Sequence, residues 1–268
     1  MKSRIRDLTF LDQPEILGYV FYPRRQLVQV PESAHMFSLK FSVENHVDIG
    51  GRFYLFEKKA PILLFFHGNG EIATDYDSIA PLYQQIGVNL CVADYRGYGV
   101  STGSPSFTNM ILDAHTIYHQ FSTYLKENKF TGSVSVMGRS LGSASAVELA
   151  THYQNNLSCL IIESGFVHTY KLLMRLGVSP SILALEKQED ASLTPLLRKI
   201  RLPTLVIHGE NDIIIPVTEG QAIYENISNL KKDLLLLPRA GHNDLLLRHL
   251  ETYMKAVKNF IDNSTNVG

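Results

Sequence analysis

The run Ser133-Val134-Ser135-Val136-Met137-Gly138-Arg139-Ser140-Leu141-Gly142-Ser143 decides the fold. A five-residue strand-like stretch, Ser133–Met137, leads into a serine with glycine two positions away on each side. A helix-length segment, Leu141–Gln154, follows at once. A chain that passes from strand to helix this abruptly holds the middle residue in a strained backbone conformation and exposes its hydroxyl. Glycine is required at 138 and 142 because side chains there would collide with the neighbouring strand and helix. The small residues Ser143, Ala144 and Ala146 continue the demand for close helix–sheet packing. The helix N-terminus behind Ser140 favours negative charge on a nearby oxygen. Without its context, G-x-S-x-G also describes an ordinary turn, and its placement between a strand and a helix separates the two.

Outward from this turn, short apolar runs end in turn residues at Ile62–Phe66, Asn89–Asp94, Cys159–Glu163, Thr204–His208 and Asp233–Leu237. Strands covered by helices on both faces have this pattern. Earlier segments, Tyr19–Tyr22, Phe37–Val43 and Phe53–Phe56, alternate more and read as an antiparallel edge. Helix-length segments occupy Asp75–Ile86, Ser106–Glu127, Val217–Ile227 and Asn243–Ile261. The alternation predicts an α/β fold: a mostly parallel central sheet with helices on both faces and a ligand site at the strands' carboxyl ends. With 268 residues and neither repeat nor long linker, a single domain over 1–268 is expected.

The residues that follow the strands carry the chemistry. Gly209-Glu210-Asn211-Asp212 follows one strand, and Pro238-Arg239-Ala240-Gly241-His242 follows the next. A serine hydroxyl is a poor nucleophile at neutral pH. It needs a base within hydrogen-bond reach, and the base needs a buried carboxylate to fix its tautomer. Ser140 is therefore read as nucleophile, His242 as general base and Asp212 as the orienting acid. His67-Gly68-Asn69-Gly70 follows Ile62–Phe66. Its turn can aim the backbone N–H of Asn69, with that of Leu141, at the reaction centre as an oxyanion hole. The lysine and spacing of a phosphate-cradling loop are missing.

These stretches, with Asp94-Tyr95-Arg96-Gly97-Tyr98-Gly99 and Gly241-His242-Asn243-Asp244, resemble the α/β-hydrolase superfamily over residues 67–244. More narrowly, the chain resembles the small-lid Bem46 and ABHD17-like group. In that group the Asp-Tyr-Arg-Gly-Tyr-Gly run followed by Ser101-Thr102-Gly103-Ser104-Pro105 is typical. The resemblance implies hydrolysis of a small-molecule carboxylic ester or thioester through an acyl-enzyme, without a cofactor. A peptidase or amidase on the same triad, and a non-enzymatic binding protein on the same fold, are the alternatives. The cysteine-rich N-terminus that lipidates animal ABHD17 proteins has no match here, which argues against a membrane-bound depalmitoylase.

The superfamily inserts its lid at 165–201, where two or three short, apolar helices are expected over a modest acyl pocket. Glu186, Glu189 and Asp190 in this stretch could recognise a free amino group, but read better as solvated surface. Asp94 and Arg96 are expected to hold their loop, His208 to hydrogen-bond the acid loop, and Asp244 to support the last helix. Glu163 is the substitute acid, ranked behind Asp212. His115 and His119 are spaced i, i+4, but lack a glutamate between them and a third ligand. They are expected on a partly exposed helix face, with no metal site.

A net charge of -1 gives no reason to expect a nucleic-acid partner. No apolar segment follows the basic Met1–Arg6 stretch, and no run is long enough to span a bilayer, so a cytoplasmic chain without a membrane anchor is expected. Cys91 and Cys159 each lie in an apolar run and read as buried fillers.

Overall fold

Eight strands form one sheet in this computed structural model, which describes residues 6–26, 31–183 and 187–265. In chain order they are β1 (Met36–Glu44), β2 (Val47–Tyr54), β3 (Ile62–Phe66), β4 (Asn89–Ala93), β5 (Val134–Arg139), β6 (Leu160–Glu163), β7 (Thr204–Gly209) and β8 (Lys232–Leu237). Their order in space is β1-β2-β4-β3-β5-β6-β7-β8. β1 and β2 pair antiparallel, β2 joins β4 antiparallel, and every later pairing is parallel. The chain runs from β3 outward to β4, then returns across β3 to lay down β5. The winding reverses there, so the loops after β3 and β5 emerge side by side at the sheet's carboxyl edge.

The helices are α1 (Pro14–Val20), α2 (Ala80–Gln85), α3 (Phe107–Glu127), α4 (Ser143–His152), α5 (Thr169–Arg175), α6 (Gln188–Ala191), α7 (Thr194–Leu197), α8 (Val217–Asn226) and α9 (Leu245–Thr265). Alternate strand residues feed two cores. Leu64, Phe66, Val136 and Ile162 pack with Phe121 of α3 and Val147 of α4 on one face. Leu63, Phe65, Met137 and Ile161 pack with Tyr83 of α2 and Tyr253 of α9 on the other. Continuous apolar runs read as doubly covered strands for this reason. α3 starts where the sequence places it because the Ser106 hydroxyl accepts the Asn109 N–H, 3.1 Å away. Both cysteines are buried and unbonded to each other. Among the described residues no helix is long and apolar enough to cross a membrane.

Three sequence expectations are corrected. Tyr19–Tyr22 is not a strand. Pro14 sits in the first turn of α1, where its fixed φ suits a helix, and Ile16 and Val20 bury one face at i, i+4 spacing. Phe53–Phe56 overlaps only the end of β2, whose earlier residues Asp48, Gly50 and Gly51 have low strand propensity. Asp75–Ile86 splits into a 3-10 turn at Ala73–Ser78 and the short α2, because Pro81 cannot continue a helical hydrogen-bond ladder. The 165–201 segment carries three short helices, α5, α6 and α7. Leu185 and Glu186 lie outside the described residues.

Candidate active site

β5 ends in a turn that only glycine permits on both sides of the serine. A Cβ at Gly138 would run into the carbonyl of Gly142, and one at Gly142 into the carbonyl of Phe66. Ser140 itself adopts φ +52°, the left-handed region that non-glycine residues rarely enter. Its hydroxyl donates to His242 Nε2 at 2.9 Å. His242 Nδ1 in turn donates to Asp212 Oδ2 at 2.7 Å. Ser140, Asp212 and His242 are all buried.

The loop after β7 is built around Asp212. Its Oδ1 accepts the backbone N–H groups of Ile214 at 2.9 Å and Ile215 at 2.8 Å. Burial alone would push this carboxyl up. The hydrogen bonds from His208 and His242, the charge of His242 and the Ile215 N–H more than reverse that, and hold it well below the ordinary carboxylate range. His208 supports the loop as expected, donating from Nε2 to the Ile215 carbonyl at 2.8 Å. Asp244 accepts the Gly241 N–H at 2.6 Å and pairs with Arg248, fixing the entry to α9.

Asn69 and Leu141 line one cavity with Ser140 and His242. Its volume is about 210 Å³, and Val20, Leu172, Leu176, Ile214 and Ile215 supply its apolar wall. The Asn69 side chain is engaged away from the serine. Its Oδ1 accepts the Tyr22 N–H at 3.0 Å and the Tyr98 hydroxyl at 2.7 Å. The segment after α1 is thereby tied to the Asn69 loop, and Val20 reaches the cavity. Residues before 36 lie outside the stretches that carry the resemblance; Pro14 with Ile16 and Val20 was the available signal.

Arg139, the residue before the serine, also escaped sequence reasoning. Its guanidinium donates to Glu163 at 2.9 Å, to the His242 carbonyl at 2.9 Å and to Asn243 Oδ1 at 2.7 Å, and it pairs with Glu71. Burial disfavours the charge, but Glu71 and Glu163 raise the pKa of Arg139 above its usual value. Arg139 thus ties the serine turn to the histidine loop. Glu163 is occupied by Arg139 and the Tyr253 hydroxyl, while His242 bonds to Asp212, so geometry separates the two acids. Asp94 and Arg96 hold loops, as expected. Asp94 accepts the Ala73 N–H at 2.8 Å, and Arg96 clasps Asp113 at 2.8 and 2.9 Å.

The expectation of a partly exposed face at His115 and His119 fails for His115, which is buried. α4 brings Glu148 and His152 against it, residues far along the chain that helical spacing within α3 could not supply.

A sequence model described as serine aminopeptidase, S33, matches residues 57–187. The chain is 30% identical over 206 residues to the protein Bem46 of Schizosaccharomyces pombe, covering 75% of this chain and 67% of that one. It is 29% identical over 203 residues to the alpha/beta hydrolase domain-containing protein 17C of Xenopus laevis, covering 74% of this chain and 60% of the relative. The chain thus spans less than two thirds of that second relative's length. A Pyrococcus furiosus esterase shares the fold at a TM-score of 0.72 and 18% identity, over 91% of this chain and 97% of that one.

Proposed function

Because the chain belongs to the α/β-hydrolase superfamily, beside Bem46 and the ABHD17 proteins, we propose that it is a serine esterase or thioesterase acting through Ser140, His242 and Asp212. The observation that carries this reading is the unbroken hydrogen-bonded line from Asp212 through His242 to the Ser140 hydroxyl. His242 takes the Ser140 proton as the oxygen attacks an acyl carbonyl, and Asp212 stabilises the imidazolium that forms. The backbone N–H groups of Asn69 and Leu141 receive the negative charge on the carbonyl oxygen. His242 then protonates the leaving group, and water clears the acyl-enzyme by the same steps in reverse.

The cavity favours an ester or thioester of a small to medium acyl group. Its roughly 210 Å³ falls below the range of about 300–1,000 Å³ common for drug-sized ligands. No carboxylate is among its lining residues to meet a free amino group, and Glu189 and Asp190 lie exposed on α6. This weighs against the aminopeptidase reading. The test is a panel of acyl nitrophenyl esters, acyl thioesters and aminoacyl nitroanilides, with Ser140→Ala as control. Ester or thioester turnover that falls with chain length and vanishes in the variant is expected. Preference for the anilides would make the protein a peptidase, and turnover that survives in Ser140→Ala would remove the serine mechanism.

A further inference from the structure

The far end of α4 holds a second histidine–carboxylate cluster of different construction. Glu148 lies within the Ala-Val-Glu-Leu-Ala stretch of α4 and is wholly buried. A charge in such a place must be paired or bound to a metal. His115 Nε2 stands 3.5 Å from Glu148 Oε1, and His152 Nδ1 stands 3.3 Å from the same oxygen. Neither contact has hydrogen-bond geometry, and both Glu148 oxygens lack a hydrogen-bond partner. His115 Nε2, His152 Nε2 and Arg6 Nε are buried and without a hydrogen-bond partner as well, Arg6 Nε being held only by its ion pair with Glu148 at 3.5 Å. Half of the unpartnered buried side-chain atoms among the described residues therefore meet in this one place. Orphaned buried groups are rare, and an ion is one of the standard reasons for them.

The tautomers agree. The Tyr153 hydroxyl lies 2.7 Å from His115 Nδ1 and 2.9 Å from His119 Nε2. When Tyr153 donates to His119 it accepts from His115 Nδ1, which leaves the Nε2 lone pair of His115 facing a carboxylate oxygen. Two lone pairs repel unless a proton or a cation lies between them. A ligand histidine whose other nitrogen is hydrogen-bonded is the usual arrangement around a bound metal. At bond lengths of about 2.0–2.2 Å, two ligands of a tetrahedral zinc ion are about 3.3–3.6 Å apart, which matches the 3.5 Å from His115 Nε2 to Glu148 Oε1. His152 Nδ1 donates to the Glu148 carbonyl at 2.9 Å, which leaves its Nε2 as the ligand atom. One ligand atom from each of His115, Glu148 and His152 lies within 4.8 Å of the others. His152 also lines an open cleft of about 870 Å³, which gives an ion a route in.

We propose that His115, Glu148 and His152 bind one divalent transition-metal ion, zinc by donor set and spacing, that clamps α3 to α4. Arg6, 3.5 Å from Glu148 Oε2, then serves as the outer partner of the ligating carboxylate. The site stands apart from Ser140, at the opposite end of α4, so its effect is on stability and not on acyl transfer.

The experiment uses the full chain stripped with EDTA and titrated with zinc and with cobalt(II). Expected are one zinc per chain by elemental analysis, a raised unfolding temperature and the intense visible bands of four-coordinate cobalt. Glu148→Gln and His152→Ala should each lose at least tenfold in affinity, whereas His35→Ala, on an exposed histidine, should not. The cobalt spectrum needs no variant, so the proposal is tested even if the substitutions misfold. No saturable uptake by the folded wild-type chain, a hydrated six-coordinate cobalt spectrum, or affinity unchanged in both site variants would each overturn the proposal.

Discussion

Helix α4 has histidine and carboxylate side chains at both ends, and the two sets are wired in opposite ways. At its N-terminal end, Asp212 accepts two backbone N–H groups and the His242 ring, and His242 receives the Ser140 hydroxyl. At its C-terminal end, Glu148 is just as buried and its carboxylate accepts no hydrogen bond. A centre that moves a proton must fix its base in one tautomer beforehand, which takes a complete set of partners. A set of bare donor atoms has no use for a proton relay but suits an ion. One helix thus separates the proposed reaction centre from the proposed metal site.

The strongest way to break this contrast is to remove the nucleophile. Ser140→Ala should fold normally, lose fluorophosphonate labelling and lower ester turnover on the order of 10⁶-fold, as for other serine triads. Zinc affinity should not change. If labelling persisted in the variant, the reactive residue would lie elsewhere and the N-terminal end of α4 would lose its role.

Next comes the acid. Asp212→Asn should lower kcat on the order of 10⁴-fold, because His242 would be held in the wrong tautomer. Glu163→Gln should cost far less, since Glu163 reaches Arg139 and Tyr253 and not the histidine ring. Steady-state kinetics of the two variants on one ester decides between them. The reverse ranking would transfer the acid role to Glu163.

A third prediction concerns the residue that ties the serine turn to the histidine loop. Arg139→Met leaves the buried Glu163 and the half-buried Glu71 without their common partner. Breaking a buried pair from one side costs about 3 kcal/mol or more. Urea unfolding of Arg139→Met should show a loss of that order, with kcat reduced and KM little changed. Unaltered stability would mean that Arg139 is not the counter-charge that the geometry implies.

The two ends of α4 also differ in how far they could be read beforehand. Ser140 and its glycines are contiguous, and Asp212 and His242 each follow a strand, so chain order and turn chemistry located all three. The parallel sheet was legible because doubly covered strands are apolar throughout, as in Ile62–Phe66. The cluster of His115, Glu148 and His152 was not, because its members come from two helices that meet only through packing. Within α3 the visible partner of His115 was His119, at i+4, and that residue is linked to His115 only through Tyr153. Arg139 was hidden by a different cause. The motif leaves its position open, and its partners Glu71, Glu163 and Asn243 belong to three separate loops and strands. The strand assigned to Tyr19–Tyr22 failed because four residues are too few to distinguish periods of 2 and 3.6.

The smallest predicted effect is a null one between neutral and mildly acidic pH. The folded-state pKa of Asp212 is held well below its unfolded value of about 3.9. A carboxyl shifted in this direction binds fewer protons when folded than when unfolded near that value. Its stabilisation is fully present above the unfolded pKa and is lost as pH falls towards the folded one. The stability difference between wild type and Asp212→Asn should therefore not shrink from pH 7 to about pH 5, and should shrink below about pH 4. Urea unfolding of EDTA-treated protein across this range measures it, with the metal-binding end of α4 silent. Taking the difference between the two proteins cancels protonation of groups remote from Asp212, so what remains belongs to Asp212 and the two imidazoles in contact with it, His208 and His242. A difference that collapses between pH 7 and pH 5 would mean that Asp212 gains its proton far above the ordinary carboxylate range. The hydrogen bonds of Ile214, Ile215 and His242 would then not be holding a charge, and the wiring that sets the two ends of α4 apart would not exist.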